Sequence, residues 1–353
     1  MARDFPRLRH PIVQAPLAGG PSTPALAAAV CDAGGLGFLA AGYKAPEGLR
    51  GDICALRALT SARFGVNLFL LAETPVEDAA VSRYAEALGG ERARHQAALG
   101  RPRFDDDAFA AKLEIVLEEQ PAIVSFTFGC PSGELVARLH DRQIAVWVTI
   151  TDPEEARRAA GAGADALIAQ GVEAGGHRGS FDDLDGRGEL SLLPLLRLAA
   201  GTTDLPLIAS GGIADGAGVA AALAAGARAV QIGTGFMRCP EAATSQAHRD
   251  ALARPAATAL TRAFTGRRAR GIVNRFMRDY GPLAPSAYPH VHHLTAPLRA
   301  AAREAQDPDQ INLWAGEAHA LASEQPAAEL VRRWSQDART ALADALAQRW
   351  PCV

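Results

Sequence analysis

Short apolar runs alternate with longer Ala- and Leu-rich stretches through the first two thirds of the chain. The runs fall at 12–15, 36–40, 64–69, 123–128, 145–150, 166–170, 207–210 and 229–233. Each reads as a strand rather than a helix, and their apolar character suits strands buried in a parallel sheet. Helix starts stand between most of them: Thr23 ahead of Pro24, Asp152 ahead of Pro153, and Asp215 ahead of an Ala-rich run to Ala225. Eight strands with intervening helices predict an α/β fold, a (β/α)8 TIM barrel; a doubly wound open sheet is the alternative.

Two regions exceed a minimal barrel. Residues 73–120 separate the third and fourth strands, with helical patterns at 77–88 and 109–119. Residues 238–353 add a Pro-rich, irregular stretch at 281–297 and an amphipathic helix at 327–349. The expected organisation is therefore a barrel from 1–72 and 121–237. Segments 73–120 and 238–353 form a mostly helical lid or substrate domain over its mouth, as long connections in compact enzymes often do. Decoration or an oligomer contact is the competing use.

Composition narrows the setting. The 353 residues are 48% hydrophobic and 21% charged, ordinary values for a globular protein. A net charge of −3 gives no basic field for nucleic acid or an anionic membrane. No apolar run approaches the roughly 20 residues that span a bilayer. The start, Met1-Ala2-Arg3-Asp4-Phe5-Pro6, lacks the apolar core of a signal peptide. Cys31, Cys54, Cys130, Cys239 and Cys352 are scattered, so neither a disulfide framework nor a zinc site is indicated. A soluble, reducing, cytoplasmic location is expected.

Candidate chemistry gathers at the strand ends. The sixth strand runs into Gln170-Gly171-Val172-Glu173-Ala174-Gly175-Gly176-His177-Arg178-Gly179, four glycines and an imidazole in ten residues. Glycines let the backbone approach a ligand, and histidine exchanges protons near neutrality. The seventh strand ends Ser210-Gly211-Gly212, and the eighth reads Gln231-Ile232-Gly233-Thr234. Barrels bind phosphate in the loops after these two strands, where backbone N–H groups and a helix N-terminus favour an anion. Asn67 and Gln170 place carboxamides at other strand tips, and the first strand ends Gln14-Ala15-Pro16-Leu17. Amides there can serve a planar heteroaromatic ring, or can bond only to neighbouring backbone. A phosphorylated planar cofactor such as flavin mononucleotide (FMN) fits the set.

The chain resembles the nitronate monooxygenases, formerly 2-nitropropane dioxygenases. The likeness rests on Pro11 to Gly20, Gly34 to Phe38 with Gly42-Tyr43, Val66 to Phe69, Gln170 to Gly179, Ser210 to Ile213 and Gln231 to Thr234; it continues weakly through Thr265-Gly266-Arg267 and Gly271 to Arg275. The resemblance implies non-covalent FMN, with Ala15, Pro16 and Leu17 against the ring and Asn67, Gln170 and Gln231 at its polar edge. Gly175 and Gly176 would approach it by backbone, and Gly211, Gly212, Gly233 and Thr234 would hold its phosphate. His177 would be catalytic. The implied reaction is oxidation of an alkyl nitronate, such as propionate 3-nitronate, by one-electron transfer to the flavin and use of O2, giving a carbonyl compound and nitrite. For a neutral nitroalkane, His177 with its ordinary pKa near 6.5 would be general base; for an anionic nitronate it would orient the substrate or shuttle a proton. The implied partners are the small nitronate and O2, with no nucleic acid or membrane, in a monomer or homodimer. Two positions depart from the family pattern: Thr127 stands where many members carry a second histidine, and Leu17 where methionine is usual.

Several residues carry weaker expectations. Glu173 reads as a cap or salt link for its loop rather than an acid. His290, His292 and His293 are expected in a lid or oligomer contact; an extended i, i+2 pair could face a metal, but no metal site is assigned. Cys130 is expected to be structural, and Tyr43 and Lys44 lie on the rim or face substrate. Two other functions compete: an FMN-dependent enoyl-acyl-carrier reductase using reduced nicotinamide, and a barrel binding a phosphorylated ligand without flavin.

Overall fold

The computed structural model describes residues 5–94, 96–183 and 186–349. Cys352 and the first four residues lie outside them. Eight parallel strands stand where the apolar runs predict them: β1 (Ile12–Gln14), β2 (Phe38–Ala40), β3 (Gly65–Phe69), β4 (Ile123–Thr127), β5 (Ala145–Ile150), β6 (Ala166–Gln170), β8 (Leu207–Ser210) and β9 (Ala229–Ile232). Their order is β1-β9-β8-β6-β5-β4-β3-β2, and a parallel bridge between Val13 and Leu36 brings β1 to the edge at β2. The sheet closes into a barrel. The predicted helix starts are N-caps: Thr23 accepts from Leu26 N, Asp152 from Glu155 N and Asp215 from Gly218 N.

Inward positions on the strands alternate with outward ones, and their character changes along the axis. At the N-terminal end they are apolar: Val13, Phe38, Ile123, Ala145, Trp147, Ala166, Ile168, Ile208 and Ala229 form one cluster. Phe5 stacks on Trp147 at 5.4 Å between ring centres and plugs that end. One step further up, the same strands present Asn67, Ser125, Thr149, Ser210 and Gln231, all buried. A dry base and a polar upper layer fix which end of the barrel can hold a polar ligand.

A second, three-stranded antiparallel sheet lies beyond the barrel, in the order β10 (Thr258–Thr261), β11 (Ala269–Ile272), β7 (Gly176–His177). The sequence showed the His177 segment only as a loop. Two residues carry little periodicity, and their partner strand is about 90 residues away, so only tertiary pairing reveals it.

Two helices expected in the lid belong to the barrel wall. Phe109–Glu119 packs between β3 and the helix Pro46–Leu59, and Ala327–Arg349 packs on the helices Gly216–Ala224 and Pro24–Ala33. The latter takes the place of the helix that would otherwise follow β9 directly, with Trp334 buried against Phe236. The Pro-rich stretch also differs from expectation. His290–Glu304 is one helix with Pro297 inside it, and Gly100 N donates to the Leu294 carbonyl within it. Buried Val291, Leu294, Leu298 and Ala302 supply an apolar face that outweighs the cost of the proline. Among the described residues, no helix is long and apolar enough to cross a membrane.

Candidate active site

A cavity of about 450 Å³ opens at the C-terminal end of the barrel, within the range typical of cofactor sites. Ala15, Pro16, Leu17, Asn67, Gln170, Gly175, Gly176, His177, Gly211, Gly212, Gln231, Gly233 and Thr234 all line it. The sequence selected these positions from different strands, and the fold brings them to one cavity.

Their hydrogen bonds divide them. Gln170 is committed to the histidine segment: Nε2 donates to His177 O at 3.1 Å, and Oε1 accepts from Gly179 N at 2.8 Å. Asn67 Nδ2 donates to Ser125 O and Oγ and to Thr127 Oγ1, leaving Oδ1 without a protein partner. Gln231 Oε1 is buried and has no partner at all. An orphaned buried acceptor costs about 1–3 kcal/mol, which a donor on a bound ring would remove. Thr127 therefore stands where it receives a hydrogen bond from Asn67, with Thr149 Oγ1 at 3.4 Å.

The glycine end of the cavity is shaped by backbone. Gly211 and Gly212 have φ of +117° and +69°, values L side chains rarely adopt, and a Cβ on Gly211 would lie 3.0 Å from Ala174 N. Thr234 Oγ1 accepts from Gly316 N at 3.0 Å and keeps its own proton to donate. At Gly176, with φ of +75°, a Cβ would meet nothing within 4 Å, so the backbone there faces open cavity.

His177 is held from three sides. Its backbone pairs with Ala269 in β11, and the next amide, Arg178 N, donates to Arg268 O. Arg178, 1% exposed, ties the segment to the end of β6 by donating to the carbonyls of Gln170, Gly171 and Gly188. The ring Nε2 lies 3.0 Å from Thr265 Oγ1, while Phe128, Tyr288 and Trp314 surround the ring. Phe128 itself has φ of +79°, backbone strain at the end of β4, and Arg267 lies over its ring at 4.3 Å.

The electrostatics correct one expectation. Burial, together with the charges of Arg267 and Arg299, holds the His177 pKa down to about 3 rather than near 6.5. His177 is therefore a neutral imidazole at physiological pH and a poor base. His248 is held to about 4 and His292 to about 2, in both cases mainly by burial. The phenols of Tyr43 and Tyr288, 3.0 Å apart, stay protonated because burial pushes both upward.

These histidines make stability pH-dependent. Their folded pKa values lie below the unfolded value of about 6.5, so the unfolded chain binds more protons in acid. Stability present above pH 6.5 is lost as pH falls toward the folded values, at about 1.4 kcal/mol per pH unit for each such histidine. We expect Tm to fall steeply between pH 6.5 and 4.5. A Tm unchanged across that interval would show that the three rings protonate freely in the folded protein.

The weaker candidates also have places. Glu173 accepts from Leu192 N and caps the helix Leu192–Ala200. Cys130 is outside the cavity lining, and burial raises its thiol pKa. Lys44 pairs with Asp52, whereas Tyr43 lines the cavity and stacks on His292 at 4.4 Å. Since His290, His292 and His293 begin a helix, the extended i, i+2 geometry does not apply: His292 lines the cavity, and His293 lies 3.6 Å from Asp105. Residues the sequence did not single out complete the site: Phe128, Tyr288, Arg299 and Trp314. Thr265 and Arg267 join them from the segment through which the family likeness continues weakly.

Comparison with known proteins agrees with this geometry. A family model described as nitronate monooxygenase matches residues 5–337. The chain is 43% identical to a nitronate monooxygenase of Pseudomonas aeruginosa, over 94% of this chain and 97% of that one. It is similar in structure to a nitroalkane oxidase from Streptomyces ansochromogenes, with 49% identity and a TM-score of 0.92 over 95% and 97% of the two chains. Likeness to FabK from Thermotoga maritima is lower, at 26% identity and a TM-score of 0.75 over 96% of each.

Proposed function

The chain belongs to the nitronate monooxygenase family of flavin-dependent oxidoreductases, and on that premise we propose that it binds FMN in the cavity and oxidises alkyl nitronates with O2 to carbonyl compounds and nitrite. The observation that carries this reading is the convergence of an orphaned Gln231 acceptor, an open backbone face at Gly176 and a glycine-lined end on one cavity with His177. These residues fit a flavin mononucleotide. Gln231, and Asn67 through Oδ1, would meet the ring's polar edge; Ala15, Pro16 and Leu17 would lie against it. Gly211, Gly212, Gly233 and Thr234 would hold a single phosphate. When bound, the flavin supplies the electron acceptor and the site at which O2 is used.

The chain's own residues do the rest. Gln170 and Arg178 fix the His177 segment on β6, acting as positioning residues. His177 Nδ1 has no protein partner and is reachable from the cavity. We assign the single Thr265 hydroxyl proton to Nε2, at 3.0 Å, rather than to the Arg267 carbonyl at 3.2 Å; Nδ1 then carries the ring proton and donates to an anionic nitronate oxygen. Tyr288, Phe128 and Trp314 wall off water around the ring. We assign segments 73–108 and 238–326 to the cover of the site, with propionate 3-nitronate as a representative substrate. Free Cys31, Cys54, Cys130 and Cys239 suit a cytoplasmic location.

Purified protein supplied with propionate 3-nitronate is expected to consume O2 and release nitrite, with FMN recovered from the denatured enzyme. NADH added anaerobically should leave the flavin oxidised. Prompt bleaching by NADH without nitronate turnover would move the assignment to the enoyl reductase reading, and a folded protein that cannot take up FMN would end both.

A further inference from the structure

The helix His290–Glu304 presents Arg299 to the cavity. Arg299 is only 5% exposed. Its Nε donates to Thr295 Oγ1 at 3.0 Å, and its Nη2 to His292 O at 2.9 Å and His292 Nδ1 at 3.2 Å. Nη1 has no protein partner, and among the described residues no carboxylate pairs with this guanidinium. A buried cation costs several kcal/mol unless an anion compensates it. No described residue supplies one.

The groups that face Arg299 deepen the imbalance. On its own helix these are His292 and Arg303; Arg303 donates to Asn312 Oδ1. From the loop after β2 comes Tyr43, from the segment before the helix Tyr288, from β7 His177, and from the first turn of its own helix His293; Arg267, in the turn between β10 and β11, acts on the same Tyr43, Tyr288 and His177. Asp107, the acid beside Tyr43, is already committed to Lys112 at 2.7 Å and to Tyr43 N. Arg299 also sets the tautomer of His292. Because it donates to Nδ1, the proton of the neutral ring sits on Nε2, adding an N–H donor to this wall. Arg267 has the charges of Asp183 and Glu155 near it, whereas Arg299 meets donors, phenols and another cation but, among the described residues, no carboxylate partner.

Position decides which anion belongs there. All of these neighbours are at the His177 end; none is a glycine or threonine of the phosphate end. We propose that Arg299 is a specificity-determining residue, whose uncompensated charge, with the Nε2–H of His292, selects the ionised nitronate over its neutral nitroalkane parent. This rests on the nitronate-oxidising reading given above.

The test uses flavin-loaded wild type, Arg299→Gln and Arg299→Lys. Nitroalkanes ionise slowly, so a fresh neutral nitroalkane and its preformed nitronate can be assayed separately at one pH. In Arg299→Gln, kcat/KM for the nitronate is expected to fall about 100-fold, as loss of a buried charged partner does. The preference for nitronate over nitroalkane should fall at least about tenfold with it, and Arg299→Lys should recover most of both. Equal losses on the two substrates, with the preference intact, would overturn the proposal.

Nitrate supplies a second readout as an unreactive planar anion, titrated against the flavin absorbance. It should bind wild type and Arg299→Lys, and bind Arg299→Gln more than about tenfold less tightly. If Arg299→Gln does not fold, the wild-type titration decides, since failure of nitrate to bind removes the anion site. Nitrate binding through Arg299 in an enzyme that turns over no nitronate would instead sink the reaction assigned above and leave the anion site standing.

Discussion

Replacing His177 with asparagine is expected to lower kcat/KM for a nitronate about 100-fold while flavin content and Tm stay close to wild type. The ring has one accessible nitrogen on the cavity and is neutral, with its pKa held to about 3 by burial and by Arg267 and Arg299. A positioned donor to a charged oxygen contributes about 10²–10³-fold, and asparagine is shorter and differently directed. The pH profile separates this role from that of a base. A group with pKa near 3 does not titrate between pH 5.5 and 8, so wild-type kcat/KM on nitronate should be flat there. A rise with an apparent pKa of 6–7 that disappears in His177→Asn would restore the general base. In that case the neutral nitroalkane would suffer the larger loss.

Gly176→Val should yield folded protein without flavin. The residue has φ of +75° and pairs with Arg270 in the sheet of β7, β10 and β11, with open cavity where a side chain would project. A branched side chain there carries about 1–2 kcal/mol of backbone strain, which a barrel of this size tolerates, and it fills the space nearest the ring. The ratio of absorbance at the flavin band to that of protein measures the outcome, with circular dichroism confirming the fold. Stoichiometric yellow flavin in Gly176→Val would mean that the ring does not approach this backbone. The same variant should then be active.

Much of this was readable from residue order. Eight apolar runs gave eight strands because a barrel strand is buried on both sides and local composition reveals it. The caps at Thr23, Asp152 and Asp215 were legible since each bond closes within three residues. Most of the glycines and amides assigned to the cofactor lie in those strands or just past their C-terminal ends, so locating the strands located them; Gly175 and Gly176 follow β6 by five and six residues. What sequence could not show depends on long-range packing. Arg299 looked like one arginine among many just past a Pro-rich stretch, and nothing local says that no acid will face it. The pKa of His177 is set first by burial and then by Arg267 and Arg299, 90 and 122 positions along the chain, so an ordinary value near 6.5 was the natural expectation. The helix Ala327–Arg349 closes the barrel wall after a long excursion, and amphipathicity alone cannot tell a wall helix from a lid helix.

The pairing of His177 with Ala269 has a bearing on how such an enzyme can be rebuilt. Its ring bonds Thr265 in the same hairpin, so barrel and cover share one joint and are not exchangeable modules. A chimera that keeps the barrel and borrows residues 238–326 from a distant relative replaces both the backbone partner and the hydroxyl partner of its own histidine. Recombination should succeed only where the crossover carries the segment from Gln170 to Gly179 along with the hairpin.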